Sequence, residues 1–337
     1  MFKGGKKEMI ITRTPFRVSF AGGGSDIASF YEKHEGCVLS TAINKYMYIS
    51  IHPSFSKEKT VLKYSKTEIV YDIKDIEHVY FKQILEMLGV KGVEIVSTAD
   101  VPAGTGLGSS SSFTVGTLNA LYAYMGKYVS KEKLASTACD VEIKYLHNPI
   151  GKQDQYAAAY GGLNFYQFRK DGSVTVDPVL MRDDAREKLE QNLMMFYTGQ
   201  LHSASKILKE QSTNITAGDK EKNQLRMCGL AHDLRDELQN NNVDAMGEIL
   251  HENWMLKKTL ASGISNPAID DAYSIAMEKG AKGGKLLGAG GGGFLLFYVP
   301  KDKQKEVKEA IGLPQMPIEF DRQGAAVIYV GDKPDFI

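Results

Sequence analysis

The most informative segment of the 337-residue chain is Val101-Pro-Ala-Gly-Thr-Gly-Leu-Gly-Ser-Ser-Ser-Ser112. The β-branched stretch Val93–Thr98 before it predicts a strand, and the small residues from Ser109 onward open a stretch with helical periodicity. A strand, a glycine-rich turn and a helix N-terminus together present free backbone N–H groups and the positive end of a helix dipole. Glycine also lets a phosphate approach the backbone more closely than a Cβ would allow. The segment therefore predicts a phosphate-binding loop, although no Lys-Ser or Lys-Thr pair follows its last glycine as in a Walker loop.

Two further glycine-rich segments lie on either side of this loop in the sequence. The first is Arg13-Thr-Pro-Phe-Arg-Val-Ser-Phe-Ala-Gly-Gly-Gly-Ser-Asp26, in which a predicted strand carrying Arg17 runs into a turn that presents Ser25 and Asp26. Taken alone, this segment is equally typical of a hairpin turn with a capping aspartate. The second is Lys285-Leu-Leu-Gly-Ala-Gly-Gly-Gly-Gly-Phe294, which formally satisfies the dinucleotide-binding pattern G-x-G-x-x-G. A predicted strand follows it where a dinucleotide-binding fold has a helix, so we reject that interpretation.

The composition is that of a globular protein with zero net charge. Hydrophobic residues make up 43% of the chain, and 41 Lys and Arg residues balance 41 Asp and Glu residues. A neutral chain has no overall field that would attract nucleic acid or an anionic membrane, so we expect a small-molecule partner held by local groups. The polar N-terminus and the lack of a long apolar run favour a cytoplasmic protein. The widely spaced Cys37, Cys139 and Cys228 fit reduced, buried thiols better than a metal site or a disulfide framework.

Periodicity predicts a strand-rich first half and a second half with more helix. The expected strands are Met9–Thr14, Arg17–Ala21, Val38–Ile43, Tyr46–Ile51, Thr60–Tyr64, Val93–Thr98, Phe294–Val299 and Ala325–Val330. The expected helices are Ser109–Lys127, Lys131–Asn148, Lys220–Asn240, Val243–Lys258, Ala268–Lys279 and Lys301–Ile311. Together these elements predict an α+β protein of two domains, residues 1–185 and 186–337.

A pair of acidic residues is less conspicuous than the glycine-rich segments. Glu142 lies in the predicted helix Lys131–Asn148, and Asp154 follows in Gly151-Lys-Gln-Asp-Gln155. A kinase needs one carboxylate to hold Mg²⁺ and another to accept the proton of the substrate hydroxyl. Because the chain has 41 acidic residues, the pair gains its significance from the motifs around it.

The order of these motifs resembles that of the galacto-, homoserine-, mevalonate- and phosphomevalonate-kinase (GHMP) superfamily over residues 9–330. The shared order is Pro-x-Arg-Val…Gly-Gly-x-Ser-Asp, then Pro-x-x-x-Gly-Leu-Gly-Ser-Ser, then Glu…Gly-x-x-Asp-Gln, and finally Gly-x-Gly-Gly-Gly-Gly. The resemblance implies a two-domain fold with the active site in the cleft between the domains. The N-terminal domain would have a mixed sheet with packed helices, resembling domain 2 of ribosomal protein S5. The C-terminal domain would be α+β and ferredoxin-like.

The resemblance also implies a role for each motif in an ATP- and Mg²⁺-dependent kinase. The ATP phosphates would bind at the first loop, where the expected contacts are Pro102, Gly104, Thr105, Gly106, Leu107, Gly108, Ser109, Ser110 and Ser111. Ser110 and Glu142 would hold Mg²⁺, and Asp154 would be the catalytic base. Arg17 would keep that base ionised and stabilise the developing phosphoryl charge. The expected sugar contacts are Gly24, Ser25, Asp26, Gly151, Gly290 and Gly291.

Within the superfamily, the segment Arg13–Asp26 looks most like bacterial D-glycero-D-manno-heptose phosphate kinases, and L-fucokinase-type sugar-1-kinases share part of it. We therefore expect phosphorylation of the anomeric hydroxyl of D-glycero-D-manno-heptose 7-phosphate, in nucleotide-activated heptose biosynthesis. An L-fucokinase-like enzyme is the alternative. An alternative of another class is a non-catalytic, sugar-binding regulator, although both acids and the loop serines are present. The two enzymes differ by one substrate phosphate, for which the candidate contacts are Lys152, Lys206 and Arg322.

Three further features leave their interpretation open. The segment Phe196–Ser205 also fits the heptose group, in which arginine often stands in place of His202, but a solvent-facing helix start explains this histidine equally well. No motif marks an adenine pocket near Tyr64 and Tyr71. A homodimer is compatible with the sequence.

Overall fold

Two β-sheets organise the chain in the computed structural model, which describes residues 9–199, 204–216 and 218–331. The strands are β1 (Ile10–Ala21), β2 (Gly36–Pro53), β3 (Thr60–Lys63), β4 (Thr67–Val70), β5 (Val93–Ala99), β6 (Leu163–Phe168), β7 (Val174–Pro178), β8 (Leu193–Tyr197), β9 (Gly283–Leu286), β10 (Phe294–Tyr298) and β11 (Ala326–Val330). The helices are α1 (Ala28–His34), α2 (Val79–Leu88), α3 (Ser109–Tyr124), α4 (Lys131–Cys139), α5 (Gln153–Tyr160), α6 (Asp183–Asn192), α7 (Ala204–Asn214), α8 (Gly218–Gln239), α9 (Ala245–Lys257), α10 (Pro267–Glu278) and α11 (Gln304–Ile311). A 3₁₀ turn, Ile73–Asp75, lies between β4 and α2, and a π-helix, Asp140–Tyr145, continues α4.

The larger sheet is mixed, and the smaller one is antiparallel. Within the described residues the larger sheet has eight strands, six of them in the order β11-β1-β2-β5-β3-β4. Strand β6 pairs with the first part of β2, and β7 pairs with β6. The pair β3 and β5 is parallel, whereas β1, β2 and β11 are antiparallel to their neighbours. The smaller sheet has the order β8-β10-β9 and lies in the C-terminal half of the chain.

The first two strands are longer than the sequence pattern predicts. The predicted strands Met9–Thr14 and Arg17–Ala21 belong to one strand, β1, because a shift in register between Pro15 and Phe16 accommodates the proline within the sheet. The predicted strands Val38–Ile43 and Tyr46–Ile51 are likewise both parts of β2. The long β1–β2 pair carries Arg17 into the centre of the larger sheet.

Two other elements also differ from the prediction. The predicted helix Lys131–Asn148 changes at Asp140 from α-helix to π-helix, an irregularity that is frequent at functional sites. Strand β11, which the sequence predicts as part of the C-terminal domain, pairs with β1 at the edge of the larger sheet. The last described strand therefore returns to the N-terminal sheet, and the domain boundary near residue 185 stays a prediction.

Helix α3 lies against β1 and β2 and is buried along most of its length. Its side chains Val115, Leu118 and Leu121 are fully buried, and each such side chain stabilises the fold by about 1.5–3 kcal/mol. Gly116 permits the close packing, since a Cβ there would lie 2.9 Å from Thr14 Oγ1. The Ser112 hydroxyl donates a 2.8 Å hydrogen bond to the carbonyl oxygen of Pro15. These contacts fix the N-terminus of α3 beside the part of β1 that carries Arg17.

Candidate active site

A cleft of about 850 Å³ lies where the glycine-rich segments meet. The loop between β5 and α3 forms one wall, and residues 104, 106 and 108 there all have positive φ angles, which favour glycine. A Cβ on Gly106 would lie 2.6 Å from the carbonyl oxygen of Leu287, and a Cβ on Gly108 would lie 3.1 Å from Asp154 Oδ2. The glycines therefore allow this loop to contact both the Lys285–Phe294 segment and the Asp154 carboxylate.

The expected phosphate contacts divide into two groups by position. Most of them line the cleft, namely Pro102, Gly104, Gly106, Gly108, Ser109, Ser110 and Ser111. Thr105 and Leu107 are buried below the loop, where the Thr105 hydroxyl donates to the carbonyl oxygen of Pro102 and the Leu107 carbonyl accepts from the backbone N–H of Arg17. These two residues support the loop, while the other seven line the cleft.

Arg17 and Asp154 form a bidentate ion pair on the floor of the cleft. Arg17 Nε donates to Asp154 Oδ1 at 2.6 Å, and Nη2 donates to Oδ2 at 2.8 Å. The third nitrogen, Nη1, donates to the carbonyl oxygen of Gly106 at 2.6 Å. The Arg17 side chain is 7% exposed, whereas that of Asp154 is 24% exposed. The Asp154 carboxylate is thus fixed by the buried Arg17 side chain and remains accessible from the cleft.

Asp26 also lines the cleft, and its carboxylate joins the first motif to α5. Its oxygens accept hydrogen bonds from the backbone N–H of Gly24 and of Gln153, and from Gln153 Nε2, at 3.0–3.1 Å. Burial raises the pKa of Asp26, although the backbone hydrogen bond from Gln153 opposes this effect. Gly151 is required beside it because a Cβ there would lie 1.9 Å from Asp26 Oδ2. Gly24, Asp26 and Gly151 therefore form one wall of the cleft.

Ser25 has a different environment from its neighbours. Its side chain is fully buried, and its hydroxyl donates to the carbonyl oxygen of Cys37 at 2.8 Å and accepts from the backbone N–H of Cys37 at 3.0 Å. It does not line the cleft. We therefore correct its expected role: Ser25 fixes the Gly22–Asp26 turn against β2, and its neighbours Gly24 and Asp26 reach the cleft.

Glu142 lies on the π-helix, and its side chain is fully buried beside Ser110 and Ser111 at the start of α3. Gln155 Nε2 donates to its Oε2 at 2.6 Å, while Oε1 makes no hydrogen bond within the described residues. Burial raises the pKa of Glu142 to about 7, and the nearby side chains of Ser111, Gln155 and Ser110 counteract part of this effect.

An unpaired carboxylate oxygen next to a serine hydroxyl fits Mg²⁺. This ion prefers oxygen ligands and takes one or two from the protein and the rest from phosphates and water. In the described part of the chain no group of three or more His, Cys, Asp or Glu residues could hold a metal ion. The expected pair Ser110 and Glu142 offers one hydroxyl and one carboxylate oxygen, which is the small set of protein ligands that Mg²⁺ takes when phosphates and water supply the rest.

The third glycine-rich segment contributes to the cleft through residues other than those expected. Gly288 and Ala289 line it, whereas Gly290 and Gly291 do not. A Cβ on Gly290 would lie 2.6 Å from the Ile264 Cα, and the backbone N–H of Gly291 donates to the carbonyl oxygen of Ile264. Gly290 and Gly291 thus pack against the loop that precedes α10, and their expected contact with sugar has no support from their position.

Two buried lysines in the cleft escape the sequence analysis. Lys257 at the end of α9 and Lys285 in β9 are 5% and 2% exposed, and both line the cleft. Lys257 looks like its surface neighbour Lys258 in the sequence, so no pattern distinguishes it. Lys285, by contrast, is the one charged residue in the otherwise uncharged run Gly283–Leu287, where a lysine is unusual and provides a usable signal.

Two of the three residues expected at a substrate phosphate, Lys152 and Arg322, do not line the cleft. Lys152 Nζ donates to the carbonyl oxygen of Gly172 and lies over the Tyr31 ring, outside the cleft. Arg322 is exposed on the surface and does not line the cleft. The side chain of Lys206 and residue His202 fall outside the part of the chain that the structure describes.

One part of the cleft is lined by aromatic side chains. Tyr64, His78, Tyr80 and Phe113 line it, with the His78 and Phe113 rings 5.1 Å apart. Burial lowers the pKa of His78, which favours its neutral form. This part therefore offers a largely uncharged surface on which a flat ring can pack.

Comparison with known proteins identifies the family. The model of the GHMP kinases N terminal domain matches residues 76–162, and that of the GHMP kinases C terminal domain matches residues 234–313. The chain belongs to the GHMP kinases and has their two-domain α+β fold, as the motif order predicts. Among the residues described, no helix is both long and apolar enough to cross a membrane.

Three individual proteins illustrate the similarity. A D-glycero-alpha-D-manno-heptose 7-phosphate kinase of Campylobacter jejuni is 28% identical over 343 residues, which cover 94% of this chain and 97% of the relative. A bifunctional fucokinase/GDP-fucose pyrophosphorylase of Arabidopsis thaliana is 28% identical over 91% of this chain and 31% of its own length. The crystal structure of a D-glycero-D-manno-heptose 1-phosphate kinase from Bacteroides thetaiotaomicron has a TM-score of 0.79 and 25% identity, and the match covers 96% of this chain and all of that one. Each of the three names denotes a sugar or sugar-phosphate kinase activity.

Proposed function

We propose that this GHMP kinase transfers the γ-phosphoryl group of ATP to the anomeric hydroxyl of D-glycero-D-manno-heptose 7-phosphate. The observation that carries the proposal is the Arg17–Asp154 pair, which holds a cleft-facing carboxylate so close to the phosphate loop that a Cβ on Gly108 would lie 3.1 Å from it. A base and a phosphate-binding loop in contact are what transfer between ATP and a hydroxyl requires. The choice of sugar is supported by the relatives named above and by the Arg13–Asp26 motif.

The residues present support an in-line transfer. The sugar hydroxyl would lie between Asp154 and the γ-phosphate and give its proton to an Asp154 oxygen as its own oxygen forms the new bond to phosphorus. The bond between the γ-phosphorus and the bridging oxygen breaks, and its electron pair leaves with ADP. A carboxylate has about four acceptor positions and Arg17 occupies two of them, so Asp154 can still accept the proton.

The remaining groups would position the two substrates. Backbone N–H groups of residues 104–110 and the N-terminus of α3 suit the triphosphate. Ser110 and Glu142 would hold Mg²⁺, which supplies charge neutralisation at the phosphates when bound. Asp26 and the backbone of Gly24 would bind sugar hydroxyls, and the aromatic part with Tyr64 and Phe113 would receive the adenine.

Two alternatives make different demands on the site. An L-fucokinase-like enzyme needs no contact for a substrate phosphate. A non-catalytic sugar-binding regulator would not need the Arg17–Asp154 pair or the buried Glu142, and the presence of all three residues argues against it.

A substrate panel tests the proposal. ADP release is measured with ATP and Mg²⁺ for the heptose 7-phosphate, the free heptose, L-fucose, galactose and mevalonate, with the Asp154→Asn variant as the blank. Two charge-assisted contacts to a substrate phosphate would give kcat/KM for the heptose 7-phosphate at least about a hundredfold above that for free heptose or L-fucose. Phosphorus NMR of the product must show a new phosphate on the anomeric oxygen. Equal turnover of L-fucose would support the alternative enzyme, and turnover of mevalonate alone would refute a sugar kinase.

A further inference from the structure

Two buried ammonium groups in the cleft have no role in the mechanism above. Lys257 ends α9, and Lys285 lies in β9. One turn before Lys257 on the same face of α9, Asn253 Oδ1 accepts a 3.2 Å hydrogen bond from the backbone N–H of Gly22. The helix is therefore attached to the turn that carries Asp26, and Lys257 reaches the cleft beside that turn.

Each of the two groups has few partners. Lys257 Nζ donates to the carbonyl oxygen of Gly288, and Lys285 Nζ donates to that of Phe20 at 3.1 Å. Within the described residues these are the sole hydrogen bonds of the two ammonium groups, and neither group has an ion pair. An ammonium group has three N–H donors, so two on each lysine lack a protein acceptor. A buried charge with unsatisfied donors is costly unless a ligand pairs with it.

The nearby carboxylates do not neutralise this part of the cleft. Lys257 and Arg17 lie beside the two carboxylates Asp154 and Asp26, while burial, followed by the charges of Lys257 and Arg17, lowers the pKa of Lys285 well below its usual value. Asp154 is already engaged by Arg17, and Asp26 accepts three N–H hydrogen bonds. Burial, and next the charge of Arg17, lower the pKa of Lys257 to about 8, so this lysine is largely protonated at neutral pH. An anion bound beside the two lysines would use their free N–H donors and would favour the protonated form of both.

We propose that Lys257 and Lys285 form a second anion subsite beside the Gly22–Asp26 turn, where their free N–H donors bind a phosphoryl group. This inference rests on the proposed sugar-kinase activity and extends it to residues outside the glycine-rich motifs. The phosphoryl group has two sources in such a reaction, the phosphate ester already on the sugar and the γ-phosphoryl group in transfer.

The matched variants are Lys257→Met and Lys285→Met, which remove the charge and keep most of the side-chain volume. Lys258→Met is the control, because Lys258 directly follows Lys257 after the end of α9 but pairs with Asp270 at 3.2 Å outside the cleft. Lys257→Gln and Lys285→Gln, which remain neutral donors to the carbonyl oxygens, replace the methionine variants if those do not fold by circular dichroism.

Steady-state kinetics with the heptose 7-phosphate and the free heptose separate the two sources. If the subsite binds the sugar's phosphate ester, KM for the phosphorylated sugar rises at least about tenfold while kcat/KM for free heptose changes less than about twofold. If it binds the transferring group, kcat falls at least about tenfold for both sugars. Folded variants whose constants all stay within about twofold of the wild type would overturn the subsite.

Calorimetry keeps this test separate from that of the proposed function. If the wild-type protein phosphorylates no sugar, the proposed function fails, and binding of inorganic phosphate is then measured with saturating ADP in the phosphate loop. Loss of phosphate binding in the Lys257 and Lys285 variants, but not in Lys258→Met, supports the subsite. Unchanged phosphate binding in all three variants, or binding too weak to detect in the wild type, overturns it.

Discussion

Arg17 joins Asp154 to the phosphate loop through one guanidinium group. Two of its nitrogens contact the carboxylate at 2.6 and 2.8 Å, and the third contacts the Gly106 carbonyl oxygen at 2.6 Å. A planar group with a fixed fork of donors holds these two acceptors at a set separation. The position of the base and that of the loop are thereby coupled, so a change in the arginine must affect both.

The first prediction concerns the geometry of this coupling. Arg17→Lys retains the positive charge but cannot make the three contacts, because an ammonium on a flexible chain has no fork of donors. We expect kcat to fall by about a hundredfold, with the protein still folded. Arg13→Lys is the control, since Arg13 lies on the same strand and bonds Gln323 at the surface. Steady-state measurement of kcat for the two variants tests this prediction, and a near-normal kcat for Arg17→Lys would refute the coupling.

The second prediction concerns the base itself. Asp154→Asn keeps the size of the side chain, but its amide accepts no proton and loses one of the two arginine contacts. We expect kcat to decrease by about 10²–10⁴-fold while the affinity for ATP, measured by calorimetry, changes little. If turnover stays near normal, proton transfer to Asp154 is not part of the reaction.

The third prediction separates backbone strain from the close contact at Gly108. Gly108→Ala places a methyl group 3.1 Å from Asp154 Oδ2 and 3.4 Å from Arg17 Cγ, at a φ of 77°. Gly126→Ala has a similar φ of 68° but no neighbour within 4 Å. Both variants should lose about 1 kcal/mol of stability from the left-handed backbone, and Gly108→Ala alone should also lose activity and ATP affinity. Thermal unfolding and initial rates on both proteins provide the comparison, and equal activity in the two would contradict the assigned contact.

The parts of the site that follow from the sequence are those in which local chemistry is visible. Glycine runs indicate positive φ angles and close contacts, and the segments 101–112 and 13–26 meet in the cleft as the resemblance to the GHMP kinases implies. The position of Ser25 is not predictable in this way, because a serine in a turn can bond either a ligand or the backbone of a distant strand. Its partner Cys37 is twelve residues away and comes close only when β2 forms.

Residues that act through tertiary packing escaped prediction for the same reason. Lys257 looks like any surface lysine until α9 packs on the Gly22–Asp26 turn. The hydrophobic spacing around Glu142 predicts an α-helix, and it does not distinguish an α-helix from the π-helix that forms there. Strand β11 has no local feature that indicates its partner in the N-terminal sheet. Such pairings depend on the whole fold, and a window of sequence does not contain them.

The fourth prediction concerns Glu142. Glu142→Gln keeps the shape of the side chain but removes the charge that would hold Mg²⁺ beside Ser110. We expect the Mg²⁺ concentration for half-maximal rate to rise and kcat to fall, while the melting temperature stays at or above that of the wild type because a buried carboxylate is removed. Rates across a Mg²⁺ titration and a melting curve provide both readouts. An unchanged Mg²⁺ requirement would exclude Glu142 from the metal site.

The last prediction concerns the pH dependence of sugar-phosphate binding. The titratable and charged groups near Lys257 are Arg17, Asp26, Asp154 and Lys285. Burial, together with the charge of Arg17, lowers the pKa of Lys257 to about 8. Below that pH the ammonium is protonated and pairs with a phosphate ester. Above it the neutral amine offers no charge, so affinity must decrease as the pH rises through about 8. A phosphate monoester has its second pKa near about 6, so its own charge is constant over this range.

Calorimetric titrations with the heptose 7-phosphate between about pH 7 and 9.5 measure this dependence. The window spans the pKa of Lys257, which is about 8. The wild-type affinity should fall across the window, and Lys257→Met should show a lower affinity that no longer changes there. The free heptose should bind with little pH dependence, since it carries no group for the ammonium to pair with. If Lys257→Met retains the wild-type slope, another group titrates and Lys257 does not contact the phosphate. A flat profile in the wild type would show that the ester binds away from Lys257.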